Sequence, residues 1–211
     1  MNNVNKGWVA FPQFLFLNEN RLKYQDALIY ITTRSFLNTA SGDCFPSYET
    51  IAEKAGVSRT FVSKSLKRLK ASGLLKTHTR KVATNRNSPN HYIFDEFRRF
   101  EQIPVEIFEC NDLSYTEKAM LICLRQFFIH GPLQCTYKIK TMAELLGITP
   151  RMLSAQFTRL IDKGYVTNTL RKLKDGTRLN SKYTLSDKLP WTNYIVLELS
   201  PTRDLKRLMI S

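Results

Sequence analysis

Ten lysines and arginines stand between Lys54 and Phe94, and no aspartate or glutamate stands among them. A protein surface normally mixes its signs, so an acid-free span of 41 residues calls for a reason beyond solubility. One isolated lysine is ordinarily a solvated charge; a set of this size is suited to neutralising phosphates. The whole chain agrees, with 32 Lys and Arg against 18 Asp and Glu and a net charge of +14 over 211 residues. Such an excess favours a polyanionic partner, nucleic acid before a membrane surface.

Other chemistries find little support in the residues. The eight glycines stand alone, so no phosphate-cradling loop of the Walker type is spelled out. The three histidines lie at no ligand spacing to the four cysteines, no CxxC pair occurs, and no paired carboxylates suit two-metal catalysis. The expectation is a non-enzyme without cofactor or metal, its cysteines reduced and mostly buried as small apolar residues. No apolar run approaches the ~18 residues of a membrane span and no secretion signal opens the chain, so a soluble cytoplasmic protein with no membrane partner is expected.

The elements that must position the basic residues occur twice. Sliding the sequence by 91 residues aligns Tyr24–Phe94 with Tyr115–Leu185 without a gap, and 16 of the 71 pairs are identical. Composition alone would give roughly four or five. Phe11-Pro12 precedes the first copy and Ile103-Pro104 the second, with one residue of slippage. The expected organisation is a domain over residues 1–96, a second over 97–190, and a C-terminal strand and short basic helix over 191–211. Gly7–Phe16 is expected to pack within the first domain, and the boundary to fall in the charged stretch Asp95–Gln102.

Within the first copy, Leu22–Leu37 carries apolar residues at helical spacing. Asp43–Pro46 reads as a short extended piece. Ser47 suits an N-cap for a helix over Tyr48–Ala55, Gly56 a left-handed C-cap, and Ser58 the cap of a third helix running to about Ser72. Gly73 ends that helix, Leu74-Leu75 begins a strand, and His91–Phe94 returns it. In the second copy Pro150 occupies the first helical position and Asp175-Gly176 a hairpin turn. Helix, extended piece, helix, glycine turn, helix, hairpin is the order of a winged helix-turn-helix. The expected fold is therefore mainly α with small β wings (α+β), as two tandem winged helix-turn-helix domains from an internal duplication.

The stretch Cys44–Leu75 reads Phe-Pro-Ser-Tyr-Glu-Thr-Ile-Ala, then Gly-Val-Ser-Arg-Thr, then a basic helix ending in Gly-Leu-Leu. It closely resembles the helix-turn-helix modules of phage and plasmid replication proteins. The tandem layout is similar to that of iteron-binding plasmid replication initiators, a likeness of architecture and not of sequence.

On the third helix, Val62, Leu66 and Leu69 face inward, which turns Arg59, Thr60, Ser63, Lys64 and Lys67 outward toward a major groove. Arg59, Thr60, Ser63 and Lys64 are assigned to base edges or nearby phosphates, and Lys67 to phosphate. Arg80, Lys81 and Arg86 on the wing would hold flanking backbone or enter a minor groove. The second copy offers Arg151, Ser154 and Thr158, with Arg171, Lys172, Lys174 and Arg178 on its wing. Residues 1–100 carry 16 basic and 7 acidic residues, residues 101–211 carry 16 and 11, so the second reader is the less charged. Two unlike readers on one chain predict two unlike half-sites, in an asymmetric or direct-repeat site.

The function expected from the sequence is sequence-specific binding of double-stranded DNA by a plasmid or phage protein, with origin recognition in replication initiation as the leading role. A transcription repressor on operator DNA is the alternative, and a protein-interaction module of a replisome or segregation complex the third. Host replication or transcription proteins are the further partners of these readings, and the C-terminal segment offers a surface for homodimerisation.

Overall fold

The computed structural model describes residues 7–13, 17, 19–78, 90–95, 99–128, 133–169 and 181–191. Strand β1 spans Trp8–Pro12. Helix α1, Asp26–Arg34, is buried from Asp26 through Thr33, because its residues are apolar or internally satisfied on every side. Thr32 and Thr33, for instance, turn their hydroxyls back onto the carbonyls of Leu28 and Ile29, at 2.7 Å each. The helix begins later than the periodicity of Leu22–Leu37 suggests. The Asp26 carboxylate accepts the Lys23 N–H at 2.9 Å and fixes a turn before the first helical residue.

Helices α2, Tyr48–Ala55, and α3, Arg59–Ala71, follow. The hairpin of β2, Leu75–His78, and β3, His91–Phe94, comes next. Strand β4, Phe100–Pro104, leads through a 3-10 turn at Val105–Glu109 into α4, Tyr115–Leu124, which opens on a capping box of Ser114 and Glu117. Then come β5, Gln134–Cys135, α5, Ile139–Leu146, α6, Pro150–Asp162, β6, Val166–Thr169, and β7, Lys182–Leu185. Six helices and three small antiparallel sheets among the described residues make the fold mixed α+β.

The extended piece at Asp43–Pro46 forms no strand, although the Cys44 carbonyl accepts the Tyr92 N–H at 2.9 Å. Its counterpart β5 does pair, with β7. Strand β1 pairs antiparallel with β4, so Trp8–Pro12 does more than pack on α1, and Phe100–Gln102, within the expected boundary stretch, belongs to that sheet.

Helices α1 and α4 pack against each other at the middle of one continuous apolar core. Around them, Glu101 and Arg125 form a buried ion pair at 2.9 Å, with Gln13 donating to the other Glu101 oxygen at 2.9 Å. Burial pushes the Glu101 carboxyl above the usual carboxylate range, and Arg125 and Gln13 oppose that shift. Cys44, Cys123 and Cys135 are free thiols in the core, and burial raises all three, Cys44 to about 12 and Cys135 to about 11.

Candidate nucleic-acid interface

The turn between α2 and α3 is built from three local choices. Ser47 takes extended geometry and its hydroxyl accepts the Thr50 N–H at 3.0 Å, which starts α2. Gly56 ends it at φ 67°, where a Cβ would meet nothing within 4 Å; the backbone angle alone asks for glycine. The Gly56 N–H reaches the Glu53 carbonyl and the Val57 N–H the Ala52 carbonyl, a Schellman closure that sends the chain off at an angle. Ser58, again extended, accepts the Phe61 N–H at 3.2 Å and starts α3.

Helix α3 buries Val62, Ser65, Leu66 and Leu69 against α1 and α2. That spacing of three and four leaves Arg59, Thr60, Ser63, Lys64, Lys67 and Lys70 exposed on the outer face. The first five are the residues that sequence reasoning placed there. Lys70 was missed, though it lies three residues beyond Lys67 and extends the same basic stripe.

Not every cation of the acid-free span is available to a ligand. Lys54 lies between the rings of Phe36 and Phe108, 4.6 and 4.8 Å from their centroids, and burial lowers its pKa. Arg68 grips Asp26 in a bidentate pair at 2.7 and 2.6 Å, while Ser65 donates to the same carboxylate at 2.6 Å. These two are structural. Lys76 pairs with Asp95 at 2.8 Å on the hairpin.

Arg59 pairs with Glu49 of α2 across the mouth of the turn. The Glu49 carboxyl is held low by its own backbone N–H and by Arg59. Both partners are largely exposed, so the pair is weak and its arginine is free to exchange toward a phosphate. Lys64 and Lys67 make no ion pair among the described residues and point to solvent.

The second turn is built alike. Gly147 ends α5 at φ 65°, and the Ile148 N–H closes on the Ala143 carbonyl at 3.0 Å. Thr149 caps α6 through the Met152 N–H, with Pro150 at the first position. Leu153, Gln156, Phe157 and Leu160 face inward. Arg151, Met152, Ser154, Ala155, Thr158 and Arg159 face out. Thr158 spends its hydroxyl proton on the Ser154 carbonyl at 3.1 Å. Arg80, Lys81, Arg86, Arg171, Lys172, Lys174 and Arg178 lie outside the described residues, as do Asp175-Gly176 and the segment after Trp191.

This geometry meets an independent finding. Residues 20–75 match the family model of a helix-turn-helix domain. Those residues are a helix-turn-helix domain. The match covers α1, α2 and α3 and ends where β2 begins, so the basic outer face of α3 belongs to that domain. No curated protein matches the chain. No helix among the described residues is long and apolar enough to cross a membrane.

Proposed function

We propose that the chain binds double-stranded DNA in a sequence-specific manner, without catalysis or cofactor, through two tandem winged helix-turn-helix units over residues 1–96 and 97–190. The observation that carries this reading is the outer face of α3. It presents Arg59, Lys64, Lys67 and Lys70 and no acid, behind a capped turn that holds the helix proud of its core. Arg59, Thr60, Ser63 and Lys64 lie in the first two turns, where a recognition helix reaches base edges, and Lys67 is set back for phosphate. The order α4, α5, α6, β6, β7 parallels α1, α2, α3, β2, β3, which supports a second reader with Arg151, Ser154 and Thr158.

The role we assign is origin recognition for a plasmid or phage in the cytoplasm, with host replication proteins recruited to the bound site. Repression at an operator is the second reading, favoured by the same face. Binding to duplexes selected from a random pool tests the shared core of both. Arg59→Ala/Lys64→Ala is expected to weaken binding by about 1–3 kcal/mol per lost base contact and to flatten the salt dependence by about one unit per lost phosphate contact. Unchanged affinity would sink the reading. Mapping the sites in the replicon separates the roles: several copies clustered at an origin for initiation, one copy over a promoter for repression.

A further inference from the structure

The two halves touch through residues that correspond to one another. A shift of 92 residues carries Trp8–Pro12 onto Phe100–Pro104, and these are β1 and β4. Their register pairs Ala10 with its own counterpart Gln102 and is reciprocal on either side: Trp8 faces Pro104 while Pro12 faces Phe100, and Val9 faces Ile103 while Phe11 faces Glu101. The Trp8 and Phe100 rings, again counterparts, stack at 5.3 Å and 19° over the outer face of that ladder.

Under the shift of 91 residues, α1 and α4 correspond, and they pack on each other. The Cys123 thiol of α4 donates to the Tyr24 carbonyl, just ahead of α1, at 3.4 Å. Reciprocal contacts, in which i meets j while the counterpart of i meets the counterpart of j, mark a two-fold axis. Units repeated head to tail bring unlike surfaces together instead.

An approximate dyad therefore runs by the Ala10–Gln102 pair and between α1 and α4. Rotation about an axis preserves height along it, so both helix-turn-helix turns lie at one level. The first turn is also close to the axis: Phe61, in the first turn of α3, meets the Tyr115 ring edge-on at 5.5 Å.

From this contact pattern we infer that α3 and α6 read an inverted pair of unlike half-sites on one duplex. The inference rests on the proposed DNA reading and replaces the direct repeat that the linear order of two copies suggests. A single chain presents its two readers as a symmetric dimer would, with half-site centres about one helical turn apart. The arms differ because the outward residues differ: Arg59, Thr60, Lys64 and Lys67 of α3 stand where α6 has Pro150, Arg151, Ala155 and Thr158.

Making the readers alike exposes the symmetry. Pro150→Arg/Arg151→Thr/Ala155→Lys/Thr158→Lys gives α6 the outward residues that α3 carries from Arg59 to Lys67, and all four positions are exposed. Selection from random duplexes is expected to give an inverted repeat of one half-site for this variant, and two unlike arms for the wild type. A direct repeat, or a single half-site, from the recoded chain would overturn the dyad reading while leaving DNA binding intact. Failure of the wild type to enrich any duplex overturns both. Should the recoded chain misfold by circular dichroism, the wild-type readers answer the same question. An iron chelate tethered through Ala71→Cys or Asp162→Cys, in a Cys110→Ser background, sits at the corresponding exposed end of α3 or α6. Cuts at mirror positions about the site centre support the inference, and cuts displaced in the same direction overturn it.

Discussion

Val62, Leu66 and Leu69 of α3 have counterparts in Leu153, Phe157 and Leu160 of α6, and all six are buried. Lys64 and Lys67 of α3 are answered by Ala155 and Thr158, and all four are exposed. The inner faces keep the same pattern of apolar contacts, and the outer faces change charge. Packing fixes the angle at which each third helix stands, and the outward residues are left to follow the ligand. The two helices thus separate what the fold requires from what a partner requires, inside one chain.

The same separation holds in how each half ties its first helix to its third, with different chemistry. In the first half Asp26 of α1 is fully buried and takes four donors, from Lys23, Ser65 and twice from Arg68. In the second half Glu117 of α4 is taken by Lys163 at 2.7 Å and by Ser114, and Arg159, the counterpart of Arg68, stays exposed. The largest expected effect comes from breaking the first anchor. Arg68→Ala leaves a buried carboxylate without its cation and is expected to cost about 3 kcal/mol. Arg159→Ala is expected to stay within about 0.5 kcal/mol. Urea unfolding of both checks this, and equal losses would mean that the halves are anchored alike.

The second anchor is smaller and depends on pH. Burial works to raise the Glu117 carboxyl, but Lys163 and the Ser114 donors outweigh it, so the net shift is downward. A carboxylate whose folded pKa is depressed adds stability above its unfolded pKa, and that stability is lost as pH falls through the folded value. Lys163→Ala is expected to cost about 1–2 kcal/mol near neutral pH, the size of a charge-assisted hydrogen bond. The gap to wild type should close in acid, once Glu117 is protonated in both. Unfolding midpoints across the acid limb test this, and a gap that persists there would assign the loss to the Lys163 bond with the Asp112 carbonyl instead.

Much of this was legible in the residues, for identifiable reasons. Caps and turns are local: Ser47, Gly56, Ser58, Gly147 and Pro150 act on backbone within four residues, and each stands where the sequence puts it. The faces of α3 and α6 follow from helical period alone. The direction of Lys54 and Arg68 was not legible. Counting charge along a chain does not tell that one lysine is held between Phe36 and Phe108 and one arginine on Asp26, partners 18 to 54 residues away in sequence. The pairing of β1 with β4 was equally hidden. Both strands are short and end in proline, but β1 is apolar throughout while β4 carries Glu101 and Gln102, and no local pattern says that each is the other's partner.

The smallest effect bears most directly on what the second helix touches. Ala155 stands at the position of Lys64, exposed, in the second turn of α6. If α6 lies along a duplex, Ala155→Lys adds one phosphate contact, raising affinity about threefold and steepening the salt slope by about one. Lys64→Ala should do the reverse by a similar amount. A gain from Ala155→Lys with its salt signature places both third helices on DNA. A lysine added at 155 with no change in affinity or slope, against a clear loss at 64, would leave α3 as the reader and turn the less charged face of α6 toward a protein. Affinity alone does not decide this, since added positive charge anywhere on the chain attracts DNA weakly. The slope does, because it counts ions released at the contact.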